Sequence, residues 1–182
     1  MYTAELVADG LGDAGFDVCD PALENSRCLK VTNARHAYCE IILGEKGAVS
    51  WEYRSFDGQV CPAQITGMVL TILGAATLDG VATVVTLRPG LTLRASVGRV
   101  LREQGMRVGM PANPDEPCEK YTEVRATNPD LPDRGSVCVN DEGMIMWNCR
   151  ISGLARGDEL GITPGELART IADALQVAER AS

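Results

Sequence analysis

The first half of this 182-residue chain recurs, in order and in kind, in its second half. Val7, Leu11, Gly15, Phe16 and Val18 return as Val97, Leu101, Gly105, Met106 and Val108 at an offset of 90, and Pro21, Ala22 and Cys28 keep that offset in Pro111, Ala112 and Cys118. Gly47, Val49, Trp51 and Arg54 match Gly143, Ile145, Trp147 and Arg150 at an offset of 96. Pro62, Ile65, Val69, Ile72 and Leu73 match Pro164, Leu167, Ile171, Ala174 and Leu175 at 102. The offset grows twice by six, which places short insertions in the second half near Asn128–Gly135 and Gly153–Gly161. Their Gly, Pro and Asp content reads as loop. A repeat of this length confines the fold to two like units. The expected organisation is residues 1–78 as one half, 79–90 as a linker and 91–182 as the other, pseudo-symmetric and able to form one compact domain.

Two copies allow each element to be read twice. Leu93, Val97, Val100, Leu101 and Gln104 follow a helical period, and Gly105 suits the left-handed position after a helix end. Leu29 and Val31, with Tyr121, Thr122 and Val124, suggest a first strand. His36–Leu43 and Ala48–Tyr53 flank a turn at Gly44-Glu45-Lys46-Gly47, and Ser136–Val139 and Met144–Cys149 flank Asn140-Asp141-Glu142-Gly143. Thr163-Pro164-Gly165-Glu166 is a capping box with proline at the first helical position. Leu167, Ile171, Ala174, Leu175 and Ala178 then form one apolar stripe. Each half is therefore expected to be α-β-β-β-α, an α+β fold with antiparallel sheets and helices on one face. Val81–Leu87 is a candidate crossover strand.

Gly58–Leu78 holds no charge and is long enough to cross a bilayer. Its Gln, Pro, Thr and Gly content and the absence of flanking basic residues argue against a span. Its repeat equivalent after Pro164 is charged and amphipathic. The uncharged helix Ala63–Ala76 is then expected to be covered on more than one side. At Gln64, Gly67 and Thr71 it carries small or uncharged residues where the closing helix has Glu166, Arg169 and Asp173. Those positions are expected at the centre of the molecule or at a homodimer interface.

The formal net charge is −8, which disfavours phosphate backbones as partners. Seven cysteines, an odd number, and a start without a basic and apolar leader pattern point to free thiols in a reducing cytoplasm. With no Cys-x-x-Cys and a single histidine, His36, no metal site is expected. Most of the thiols read as small buried hydrophobes. His36 and Cys39 stand three apart on one strand, so they face opposite ways and form no local dyad.

Gly10-Leu11-Gly12-Asp13-Ala14-Gly15 spells the dinucleotide-binding pattern. It follows a helical segment rather than a strand, and its repeat equivalents keep only one glycine, so no nucleotide site is expected. The carboxylates Glu40, Glu45, Glu52, Asp57, Glu119, Glu123, Asp141 and Glu142 fall in turns or on solvated strand positions and have no fixed catalytic spacing. No catalytic residue and no cofactor is therefore expected.

With a four-residue turn, Leu43 faces Ala48. Tyr38, Ile42, Val49, Trp51 and Tyr53 then share one sheet face, as do Cys138, Ile145, Trp147 and Cys149. The tryptophan face belongs under the helices. The opposite face of the second half would hold Val137, Val139, Met144 and Met146, an apolar surface in need of a partner.

TLRASVGRVLREQG, YTEVRATNP, EGMIMWNCR and TPGELARTIADAL resemble an uncharacterised actinobacterial protein family. The helix–three-strand–helix order is also similar to half of a secretion-chaperone-type α+β fold, whose members are small, acidic, dimeric and bind protein segments. That resemblance implies a non-enzymatic, chaperone-like or regulatory module that binds a protein partner or a second copy of itself. The alternative is a small-molecule binder or hydrolytic enzyme with a pocket between the halves, lined by Trp51, Tyr53, Trp147 and Arg54 or Arg150.

Overall fold

A computed structural model describes residues 3–19, 28–32, 37–44, 47–55, 61–75, 90–109, 123–152 and 161–180. The first half runs α1 (Thr3–Asp13), β1 (Asp17–Cys19), β2 (Cys28–Thr32), β3 (Ala37–Leu43), β4 (Ala48–Ser55) and α2 (Pro62–Ile72). The second runs α3 (Leu93–Glu103), β5 (Arg107–Gly109), β6 (Glu123–Thr127), a 3-10 turn at Pro132–Arg134, β7 (Ser136–Asn140), β8 (Ile145–Arg150) and α4 (Pro164–Arg180). The class is α+β, as the periodicities imply. Among the described residues each half holds four strands rather than the expected three, the additional ones being β1 and β5. These are three residues each, too short to show an alternation. The candidate strand Val81–Leu87 lies outside the described residues.

The eight described strands form one antiparallel sheet in the order β1-β2-β3-β4-β8-β7-β6-β5. The halves meet where β4 pairs with β8, and the register sets Trp51 opposite Trp147, Val49 opposite Cys149 and Tyr53 opposite Ile145. This pairing is self-complementary: exchanging Val49 and Tyr53 for their counterparts Ile145 and Cys149 reproduces it.

The four described helices cover one face. Their contacts place them side by side as α1, α4, α2 and α3, so each closing helix packs against the opening helix of the other half. Close approach is possible because the contact residues are small. A Cβ on Gly10 would stand 2.8 Å from Ala168 Cβ, and one on Gly67 would stand 3.1 Å from Val177 Cγ1. Ile65, Met68, Val69 and Ile72 of α2 and Leu167, Ile171 and Leu175 of α4 press onto the sheet, all 3% exposed or less. Helix α2 is eleven residues long, and among the described residues no helix is long and apolar enough to cross a membrane.

Helix ends form as their residues dictate. Glu166 accepts from Thr163 N–H at 2.8 Å and from Thr163 Oγ1 at 2.9 Å, while Glu166 N–H donates to Thr163 Oγ1 at 3.2 Å, which completes the capping box. These bonds, the backbone one foremost, hold the Glu166 carboxyl below its usual range. The insertion near Asn128 closes over the end of α2, where Asn128 Nδ2 donates to Leu73 O at 2.9 Å.

Both hairpins differ from expectation by one residue. Leu43 pairs with Val49, and Val139 with Ile145. Gly44 N–H donates to Ala48 O at 2.7 Å and Asn140 N–H to Met144 O at 3.3 Å, so each loop is three residues rather than four. Its last residue is a left-handed glycine, Gly47 at φ 78° and Gly143 at φ 77°. A loop change of one residue flips every side chain of one strand relative to the other.

Candidate functional site

The corrected register re-sorts the two faces. Cys39, Ile41 and Leu43 join Val49, Trp51 and Tyr53 beneath the helices, and Val137 and Val139 join Ile145, Trp147 and Cys149 there. Val137 and Val139 were expected on the partner-binding surface. They are 0% and 1% exposed, packed in the core of their own chain.

Trp51, Tyr53 and Trp147 are also core residues. Trp51 Nε1 donates to Cys39 Sγ at 2.6 Å, Trp147 Nε1 donates to Arg134 O at 2.6 Å, and the rings of Trp51 and Tyr53 lie 6.2 Å apart. Arg54 and Arg150, their expected companions, point out from the other side of the sheet and are exposed. The pocket in which aromatics and arginines would meet is therefore not formed, because residues of odd and even position on one strand face opposite ways.

Gln64 and Gly67 are engaged within the chain: Gln64 Nε2 donates to Ala178 O at 2.6 Å, and Gly67 faces Val177. Thr71 Oγ1 donates to Gly67 O at 2.9 Å in its own helix. The neighbour that spares this stripe from water is α4, so no second copy is needed to account for it.

Among the described residues no helix packs on the other sheet face. Its central strip is set by the register: Lys30 opposite Glu40, Glu40 opposite Glu52, Glu52 opposite Met146, Met146 opposite Cys138, Cys138 opposite Arg125. Beside it, Ile42, Ser50, Asn148 and Ser136 line up across β3, β4, β8 and β7. Ile42 is 41% exposed, while Met144 and Met146 are half-buried. Arg54 reaches Met144 Sδ at 3.5 Å. The face is mixed in polarity, not apolar as expected for the second half. The pairing of Glu40 with Glu52 was invisible to sequence reasoning, because cross-strand neighbours follow from register alone.

The thiols of the sheet are shifted away from the thiolate form. Burial pushes the Cys138 thiol up, and the Arg125 guanidinium, 3.4 Å away at Nε, offsets this only in part. Burial also pushes Cys39 and Cys149 up to about 12. A nucleophilic thiol needs the opposite shift. Among the described residues no group of three His, Cys, Asp or Glu side chains could hold a metal ion. His36 lies outside the described residues. The Gly10–Gly15 pattern sits at the C-terminal end of α1, where Gly15 at φ 89° terminates the helix. That is the wrong end of a helix for a phosphate. An open cleft of about 550 Å³ lies between α1 and β1, lined by Ala8, Asp9, Gly12, Asp13, Phe16 and Val18.

Fold and surface together define an α+β protein whose antiparallel sheet, among the described residues, carries helices on one face only. No protein-family model, curated protein or solved structure matches the chain.

Proposed function

We propose that this protein is a non-enzymatic protein-binding module, chaperone-like or regulatory, that holds a protein partner on the open face of its sheet. The observation that carries the reading is the eight-stranded sheet with all four described helices on one side. Half of its broad surface has no covering element from the described chain. A face of this kind, with Met144, Met146 and Ile42 set among arginines, suits an adaptable protein contact. The matched helix ends and hairpin loops of the two halves support the further reading that they are copies of one unit. The described cysteines Cys19, Cys39, Cys61, Cys138 and Cys149 are free, which supports a reducing, cytoplasmic setting.

A photo-crosslinking residue at Ser50 or Asn148 should trap the same partner in native cells, while one at Arg169, on the exposed side of α4, should not. Ile42→Glu with Met146→Glu should abolish the crosslink at an unchanged melting temperature. A partner trapped only from the helical side, or one indifferent to both substitutions, would sink the proposal.

A further inference from the structure

The helix layer begins with α1 and ends with α3, and the sheet begins with β1 and ends with β5. Among the described residues each end is thus one helix beside one short edge strand. The two ends share a build. Both helices are eleven residues long and both stop at a left-handed glycine, Gly15 at φ 89° and Gly105 at φ 84°. Phe16 N–H returns to Leu11 O at 3.1 Å, and Met106 N–H to Leu101 O at 2.9 Å.

Their chemistry is opposite. The first end exposes Glu5, Asp9, Asp13 and Asp17. The second carries Arg94, Arg99, Arg102 and Arg107, with Glu103 among them. Arg94 pairs with Asp141 at 3.1 Å and Arg99 with Glu103 at 2.8 Å. Arg102 and Arg107 are exposed and have no partner among the described residues, and the same holds for Asp9 and Asp13. Shape is opposite as well. Where the second end projects Arg102, the corresponding residue of the first end is Gly12, which lines the cleft of about 550 Å³ between Asp9 and Asp13.

We infer that copies of this chain join end to end, the α3–β5 end of one seated on the α1–β1 end of the next, with Arg102 entering the cleft beside Asp9 and Asp13. Strand direction permits it. Eight successive antiparallel strands leave β1 and β5 running in opposite directions. A second copy shifted along the sheet, without turning over, therefore presents β1 antiparallel to β5 and keeps its helices on the same side. Two other edge contacts would pair the strands antiparallel as well, β1 on β1 and β5 on β5, each closed by a two-fold axis. Charge discriminates among the three. The closed contacts set acids against acids or arginines against arginines, and the end-to-end contact alone sets unlike charges together. Edge charge ordinarily guards a sheet against pairing. Here it guards against the two closed dimers and favours the open one. Such a contact does not close, so assembly grows with concentration. The inference stands apart from the partner proposed above, since it uses the ends of the sheet and not its face.

Sedimentation velocity on the full chain tests it. At low salt the mean mass should rise steadily with concentration past that of a dimer, and it should fall back to monomer near 1 M salt, where the Debye length is about 3 Å. Asp9→Arg with Asp13→Arg gives two basic ends, and Arg102→Asp with Arg107→Asp gives two acidic ends. Each variant alone should associate roughly a hundredfold more weakly than the natural chain, and mixing them should restore association. A natural chain that is monomeric at every concentration in low salt overturns the inference. So does a mass that stops at dimer, or a mixture that associates no better than its components.

Discussion

Trp147 lies at the middle of the sheet, between Trp51 on β4 and Val137 on β7, and is 0% exposed. Truncation to alanine removes a ring that buries about 200 Å², worth about 5 kcal/mol at about 25 cal/mol per Å² before side-chain entropy is returned. Measured truncations of buried aromatics cost about 3–5 kcal/mol, which includes the cavity. The Arg134 carbonyl, which accepts from the indole at 2.6 Å, loses its donor as well. Trp147→Ala should therefore cost about 4 kcal/mol, a large share of the roughly 5–15 kcal/mol that holds a domain together. For a chain of this size the melting temperature should fall by about 8–16 °C. Urea unfolding followed by far-ultraviolet circular dichroism is the assay, because the substitution removes one of the two fluorophores. Trp147→Phe keeps most of the ring and loses the hydrogen bond, at about 1–2 kcal/mol. Trp51→Phe gives up the same ring volume but only a bond to the Cys39 thiol, a weak acceptor, and should cost less. A cost below about 1 kcal/mol for Trp147→Ala would place the ring at a surface and refute the core assignment.

The remaining predictions concern the buried thiols and the central helix. Cys39 and Cys149 are raised from 9.0 to about 12 by burial, so in alkali the unfolded chain loses their protons before the native one does. Stability is then complete below about pH 9 and declines as pH rises toward 12, by about 1.4 kcal/mol per pH unit for each thiol. The urea midpoint should drop more between pH 8 and 10 in the natural chain than in a Cys39→Ala, Cys149→Ala variant, and equal drops would contradict the assignment. Iodoacetamide should label exposed Cys19 in the native protein and reach Cys39 and Cys149 only after unfolding. Gly67→Glu should force a side chain against Val177 and cost about 1–3 kcal/mol of stability at infinite dilution, with no dependence on self-association. An unchanged melting temperature would show that α2 and α4 do not pack there.

What the sequence determined by itself is local. The amphipathic stripe of α4, the box at Thr163–Glu166, the glycine ends of α1 and α3 and the glycine-bearing hairpin loops all depend on residues within one or two turns of each other, and each was legible. The helical cover over Trp51 and Trp147 was also legible, since large aromatics seek burial wherever the sheet offers it. Tertiary structure decided the rest. Whether Asn140–Met144 closes as a loop of three or four residues is a choice of one backbone conformation at Gly143, yet it sets which of Val137 or Cys138 faces the helices. Strands β1 and β5 exist because neighbours supply their hydrogen bonds, and their own three residues would not sustain them. The joining of β4 to β8, the crossing of α2 and α4 to the other half's opening helix, and the pairing of Glu40 with Glu52 all bring together residues distant in the chain or set by register. No pattern of period two or 3.6 encodes such contacts, because periodicity specifies which face an element buries and leaves open what it is buried against.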